Sequence, residues 1–207
     1  NNYLKNVDFE MNWDKKIDKC VFRGSSTGCG ITVDTNMRLK SAYLSKLFEK
    51  EGEDILDSKL TSWNAKPKVD DGGANGSRTF KKINLNEQGQ FDCEEGISID
   101  AGEHNFMNLE EQSKHKYILN IDGHVKAFRL GNELRMGSVV LLVDSPYKLW
   151  FQDLGFEDMK HYILIKYDLS DLEEKIEWCK QNDDKCAQIA KNSLDFYNKY
   201  LSKEGMY

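Results

Sequence analysis

The chain has 207 residues, only two prolines, and no apolar run near the roughly 18 residues that a membrane span requires. No two of its five cysteines (Cys20, Cys29, Cys93, Cys179 and Cys186) have CxxC spacing, and no Cys/His cluster reads as a zinc site. They read as buried or incidental free thiols, and an odd count favours a reducing compartment. Basic residues are not in excess either. Lys and Arg number 29 against 35 Asp and Glu, for a net charge of −6. A nucleic-acid duplex is therefore not expected as main partner, because neutralising phosphates needs a positive surface. Asn1 follows no signal-peptide pattern, and both ends look cut. The expected location is soluble and cytoplasmic, with the secretory lumen as the alternative.

What is present suits a globular chain. Hydrophobic residues make up 39% and aromatics 11%, and the length allows one large domain with a substantial core. Strand signals lie at 19–23, 59–63, 117–121, 138–143 and 162–167, the fourth a continuous apolar run as in a central parallel strand. Helical spacing is read over 36–50, capped by Asp34 or Thr35 and closed by Gly52, and over 126–136. Asn108 with Glu111 predicts a capping box. A helix from Asp168 or Ser170 carries Leu172, Ile176 and Cys179, and a last one spans about 183–201. Residues 64–79 read as loop. Strands alternating with helices predict an α/β fold with a mostly parallel, Rossmann-like sheet and helices on both faces.

In such sheets ligands bind beyond the carboxyl ends of the strands, so the loops there are the places to search. In "RGSSTG", Arg23 offers a planar fork to phosphate, Gly24 permits a sharp bend, and Ser25, Ser26 and Thr27 supply donors. The same composition also makes turns that bind nothing. In "IDGHVKAFR", a helix opening at Asp122–Gly123 would aim its first amides outward, with Lys126 and Arg129 sharing its mouth as a seat for a diphosphate. The bland alternative is a solvated cationic face. In "VDSPYKLWF", Asp144 and Ser145 end a strand where sugar hydroxyls could be held, and the aromatics wall a pocket or fill the core. Trp63 and Asn64 read as stacking platform and amide, or as core and turn. "VDDGG", 69–73, does not read as a DxD metal site, and no essential metal or other cofactor is expected.

The order "FRGSSTG", "LDSKLTSWN", "KYILNIDGHVKAFRL", "GSVVLLVDSPYKLWF", "HYILIKYDLSDLEEKIEWCKQND" resembles glycosyltransferase family 90, which includes the Rumi-like protein O-glucosyltransferases and fungal capsule xylosyltransferases. The resemblance covers about residues 20–200, with 117–183 its most specific part. It implies the donor-binding half of a GT-B enzyme. On that reading 1–19 is linker or the end of an acceptor half, 20–207 the nucleotide-sugar domain, and 65–107 an irregular insertion. It further implies an inverting transfer of xylose or glucose from a UDP-sugar to a glycan or protein hydroxyl, or else a non-catalytic module derived from such an enzyme. Arg23, Gly24, Ser25 and Thr27 would line the donor pocket, with Ser26, Trp63 and Asn64 in the same candidate set. Arg129 would hold the diphosphate. Val125, Lys126 and Ala127 would approach the nucleotide, and Asp144 and Ser145 the sugar. The family's general base lies upstream of "FRGS". Asp8, Asp14 and Asp18 sit too close to that strand to be counterparts, so no base is assigned. The Lys/Asn-rich composition leans towards a microbial or large-DNA-virus enzyme.

Overall fold

The computed structural model describes residues 9–64, 68–70, 79–203 and 205. In chain order the elements are β1 (Ile17–Gly24), α1 (Met37–Glu51), β2 (Leu56–Leu60), β3 (Lys68–Asp70), β4 (Thr79–Lys81), β5 (Phe91–Asp92), β6 (Ser98–Ile99), α2 (Leu109–Ser113), β7 (His115–Asn120), α3 (Leu130–Glu133), β8 (Val139–Val143), β9 (Ile163–Ile165), α4 (Leu172–Gln181) and α5 (Asp183–Tyr200). Five strands make one sheet in the order β2-β1-β7-β8-β9, and every pairing is parallel. A single parallel bridge from Leu60 to Ala101 extends that order beyond β2. Between β2 and α2 the chain forms two small antiparallel ribbons, β3–β4 and β5–β6.

The apolar runs read from the sequence explain the layering. Alternate residues of a strand face opposite sides. Phe22, Leu119, Leu141 and Ile165 join α1 and α4 residues such as Leu39 and Ile176 in the larger core. Val140 and Leu142 face the other way, towards Leu130, Leu134 and Phe196, while Val21 and Ile118 cluster with Met136. Helix α5 serves both layers: Cys186, Ile189 and Ala190 belong to the first core and Phe196 to the second. Cys20, Cys179 and Cys186 are buried free thiols, and Cys29 is exposed.

Residues 9–16, part of the stretch 1–19 that the resemblance makes a linker or the end of an acceptor half, pack on the base of the sheet. The Trp13 indole N–H donates to Asp183 Oδ2 at 3.0 Å, and its ring meets Tyr117 edge-on. Lys16 is 5% exposed, and its Nζ donates to Ser113 O, to Met136 O and to Ser138 Oγ.

Several local expectations hold. Gly52 closes α1 in the left-handed conformation, and Asn108 and Glu111 form a capping box. Others shift. Asn36, not Asp34 or Thr35, caps α1, its side chain accepting from Arg38 N and Leu39 N. The strand expected at 59–63 lies at Leu56–Leu60, because the register with β1 runs from Cys20↔Leu56 to Gly24↔Leu60. Asp171 rather than Asp168 or Ser170 precedes α4, because Asp168 closes a local turn with Ser170 N. The helix expected over 126–136 is reduced to the four residues of α3. Asp8 and residues 71–73 of "VDDGG" lie outside the described residues.

Candidate functional site

The sheet order reverses between β1 and β7, whose connections leave towards opposite sides. The crevice beyond the carboxyl ends of those two strands is the topological switch point of the fold. Two clefts open there and share Gly123. One, of about 140 Å³, is lined by Gly28, Asn36, Asp122, Asp144, Ser145 and Tyr147, among others. The other, of about 310 Å³, is lined by Thr27, Arg38, Val125, Lys126, Ala127 and Arg129, with His124 and Phe128. Each alone is small for a nucleotide sugar, and a ligand of that size would span both. Gly123 permits the close approach between them, since a Cβ there would meet Thr27 Oγ1 at 2.7 Å.

Arg38 ties the crevice together. It is 5% exposed and donates to four oxygens: Ser25 O at 3.1 Å, Thr27 Oγ1 at 2.6 Å, Ile121 O at 2.8 Å and Asp122 O at 3.1 Å. It thereby joins the loop after β1 to the turn after β7. Arg129 lies alongside. Its guanidinium donates to Arg23 O at 2.5 Å, and both guanidinium carbons sit 5.6 Å from the centroid of the Phe22 ring. Gly24 makes room for this pair, since a Cβ there would stand 3.0 Å from Arg129 and 3.4 Å from Arg38. Burial, and then the like charge of Arg129, lower the Arg38 pKa to about 9, against the opposing pull of Asp122 and Glu133. Lys126, 8% exposed, adds a third cation 3.5 Å from Asp122 Oδ2, while Asp122 Oδ1 accepts from Ala127 N at 2.7 Å. Glu133, 1% exposed, accepts from Asn120 Nδ2 at 2.5 Å.

The residues singled out from the sequence thus divide. Thr27, Val125, Lys126, Ala127 and Arg129 line the larger cleft, and Asp144 and Ser145 the smaller. Asp144 is exposed, and its Oδ1 accepts from Ser145 N at 2.8 Å. Ser25 contributes its carbonyl to Arg38, and Gly24 supplies space.

Arg23 lines neither cleft. It follows Phe22 on the strand, so its side chain falls on the opposite face and turns back to Asp57, donating to Asp57 Oδ2 and to Asp57 O at 2.6 Å each. Burial pushes the Asp57 carboxyl up, but the Arg23 hydrogen bond and charge, with Lys59, hold it below its usual range. Ser26 is a buried framework residue, its Oγ accepting from Asn64 N at 2.9 Å. Asn64 Nδ2 is 2.6 Å from His124 Nε2, which links the ends of β2 and β7. Trp63 takes the core alternative: its indole N–H donates to Gly89 O at 2.9 Å and its ring packs on Phe91.

The expected helix mouth at 125–127 is not formed, because α3 starts only at Leu130 with Arg129 in the capping position. The cations there come from side chains of a loop, not from a helix end. Sequence reasoning missed Arg38 and Glu133. Arg38 left one signal: a cation in the first turn of a helix without an acidic residue there, where the helix dipole favours acids. Asp14 and Asp18 lie before and at the start of β1, and six residues of strand, roughly 20 Å, separate Asp18 from the crevice.

The sequence profile of Glycosyl transferase family 90 matches residues 2–207. Protein 179R of Invertebrate iridescent virus 6, an uncharacterized protein, is 40% identical over 214 residues, covering 96% of this chain and 16% of its own length. Human protein O-glucosyltransferase 3 is 41% identical over 108 residues, covering 52% of this chain and 21% of its own. The chain therefore spans about a sixth to a fifth of the length of these relatives. The crystal structure of TarM superposes with a TM-score of 0.51 at 12% identity, over 92% of this chain and 34% of that one, a likeness of fold. With a parallel sheet, a cationic crevice at its switch point and a profile match over nearly its whole length, the chain belongs to glycosyl transferase family 90.

Proposed function

We propose that this chain is the nucleotide-sugar half of an inverting GT-B glycosyltransferase, moving glucose or xylose from a UDP-sugar to a hydroxyl of a glycan or protein. The observation that carries it is the convergence of Arg38, Arg129 and Lys126 on the crevice between β1 and β7 in a family 90 chain. Among the described residues, the carboxyl groups acting on these three cations are those of Asp122 and Glu133, which leaves a seat for an anion. The name of the human relative favours glucose as the sugar.

In this reading the diphosphate lies across Arg38, Arg129 and Lys126, with Thr27 beside it. The nucleotide follows Val125 and Ala127. The sugar enters the smaller cleft, near Asp144 and Ser145, where Tyr147 and Tyr167 offer half-exposed rings for stacking. As the acceptor oxygen attacks the anomeric carbon, the bond to the β-phosphate oxygen breaks and negative charge grows there. Guanidinium donors already held in place stabilise that charge more than they stabilise the ground state. Arg23, Ser26, Trp63 and Asn64 act as framework.

One observation favours the non-catalytic alternative. The cleft carboxylates are engaged locally, Asp122 by Ala127 N and Lys126, Asp144 by Ser145 N, so neither presents itself as a base. Calorimetry with UDP, UDP-glucose, UDP-xylose and UDP-galactose, together with a donor-hydrolysis assay, separates the readings. Binding with turnover supports the transferase, binding without turnover the module, and no binding defeats both.

A further inference from the structure

Glu133 has no place in the transfer just described, and its surroundings are unusual for a carboxyl group. It is 1% exposed and stands one helical turn beyond Arg129, whose carbonyl accepts its N–H at 3.0 Å. Its side-chain partner is Asn120, itself 1% exposed, at the end of β7. The charged groups acting on it are Arg129 from its own segment, Arg38 from α1 and Lys126 from the turn after β7. These are the three cations of the anion seat. Asn120 suits either protonation state of its neighbour. Its Nδ2 now donates to Glu133 Oε2, and its Oδ1 is buried without a hydrogen-bond partner. Rotating the amide by half a turn would present Oδ1 to a protonated Glu133, which could then donate to it.

We propose that Glu133 is a positioning residue for the cation cluster that takes up a proton from solvent when a diphosphate-bearing ligand binds, so that ligand binding and protonation of the buried carboxyl are coupled. The inference rests on the donor-binding reading above. With the seat empty, the Glu133 carboxylate balances part of the charge of Arg38 and Arg129. A bound diphosphate supplies that balance from the other side. The carboxylate then becomes surplus negative charge in a buried place, and neutralising it removes the repulsion. One proton moves from buffer to a Glu133 oxygen, and no other bond changes. Burial already lifts this carboxyl to about 7, against the pull of Arg129, the Asn120 hydrogen bond, Arg38 and Lys126, so it is poised to respond near neutrality.

Calorimetry of UDP-glucose binding in buffers of different ionisation enthalpy tests this, because the diphosphate of that ligand does not itself titrate near neutrality. The wild-type chain is expected to take up a fraction of a proton on binding near pH 7 and above. Its affinity should fall about fivefold or more between pH 6.5 and 8.5, within the limit of about tenfold per pH unit for one proton. Glu133→Gln should abolish the uptake and flatten the profile. His124 also lines the larger cleft, and histidine is the side-chain type that ordinarily exchanges protons near neutral pH. His124→Gln is therefore the control and should keep the proton linkage. Uptake that survives Glu133→Gln or vanishes with His124→Gln overturns the assignment. So does wild-type binding without proton exchange, a result that needs no variant to fold and leaves the donor-binding reading standing. Failure of UDP-glucose to bind at every pH defeats the donor-binding reading and this inference with it.

Discussion

At the amino end of the sheet Lys16 is buried against three neutral acceptors, two carbonyls and a serine hydroxyl. At the carboxyl end Arg38 is buried against four, with a second guanidinium beside it. Both cations knit separate segments. Lys16 joins the stretch before β1 to the end of α2 and the start of β8, and Arg38 joins the loops after β1 and β7. They differ in what remains once their hydrogen bonds are counted. The donors of Lys16 are taken up by protein, and burial lowers its pKa to about 8, against a weaker upward pull from Glu10. Around Arg38 stand the charges of Arg129, Asp122 and Glu133, with Lys126 acting on the same Glu133, and a cleft opens beside them. Burial of a cation therefore marks structure in the first case. In the second, burial combined with a neighbouring like charge and an open crevice is what the proposed donor site rests on. Arg23 belongs with Lys16: its charge is answered by Asp57, and it lines neither cleft.

This contrast can be broken from either side. The largest effect on stability is expected from Lys16→Ala, which strands three buried acceptors. It should cost about 3–5 kcal/mol, read as a lower urea midpoint, while leaving the affinity for UDP within about twofold. A large loss of UDP binding by folded protein would erase the distinction between the two ends. Arg129→Ala should do the reverse. It should lower donor turnover at least about tenfold, on the roughly 2–4 kcal/mol scale of lost transition-state donors, with a smaller change in melting temperature. Unchanged turnover and unchanged UDP affinity would remove Arg129 from the site.

Glu133 sharpens the comparison through pH. Its carboxyl binds a proton more tightly folded than unfolded, so the stability it contributes is complete below its ordinary range near 4.5 and is lost as pH rises through about 7. Glu133→Gln removes that dependence. The difference in unfolding free energy between variant and wild type should therefore move in favour of the variant by about 3 kcal/mol between roughly pH 4.5 and 7.5. Denaturant melts at the two pH values check it, and a difference that does not change with pH would contradict the buried, proton-binding character given to this residue. The smallest effect is expected from Asn36→Ala. The Asn36 side chain caps α1 and donates to Ser26 O at 3.2 Å, so its loss should cost about 1–2 kcal/mol and weaken donor binding mildly through Arg38, two residues on.

The expectations drawn from the sequence succeeded where a local pattern carried its own physics. The apolar runs of β7 and β8 mark buried parallel strands, since only such strands are continuously hydrophobic. The capping box at Asn108–Glu111 and the left-handed Gly52 follow from adjacent residues alone. Thr27, Lys126, Arg129 and Asp144 border the two clefts because strand-end loops rim the crevice of an open α/β sheet. Arg23 lines neither cleft for an equally physical reason. It stands next to the glycine-rich loop in sequence, yet strand alternation sends it to the face that carries Asp57. Lys126 and Arg129 were expected at a helix mouth, but Asp122 captures Ala127 N and keeps the segment as loop up to Leu130.

By itself, then, the sequence determined the strands of the main sheet to within a few residues, the longer helices and the loops that border the crevice, because those depend on periodicity and on turn chemistry within a few residues. Only the tertiary structure decided which charges meet. Arg38 lies more than eighty residues from Asp122 and Ile121, and Arg129 more than a hundred from Arg23, yet each pair is hydrogen-bonded. Whether a cation is spent on a partner or left facing a cleft depends on the separations of groups brought together by the β1–β7 pairing, and electrostatic energy in a buried place follows those distances rather than order along the chain.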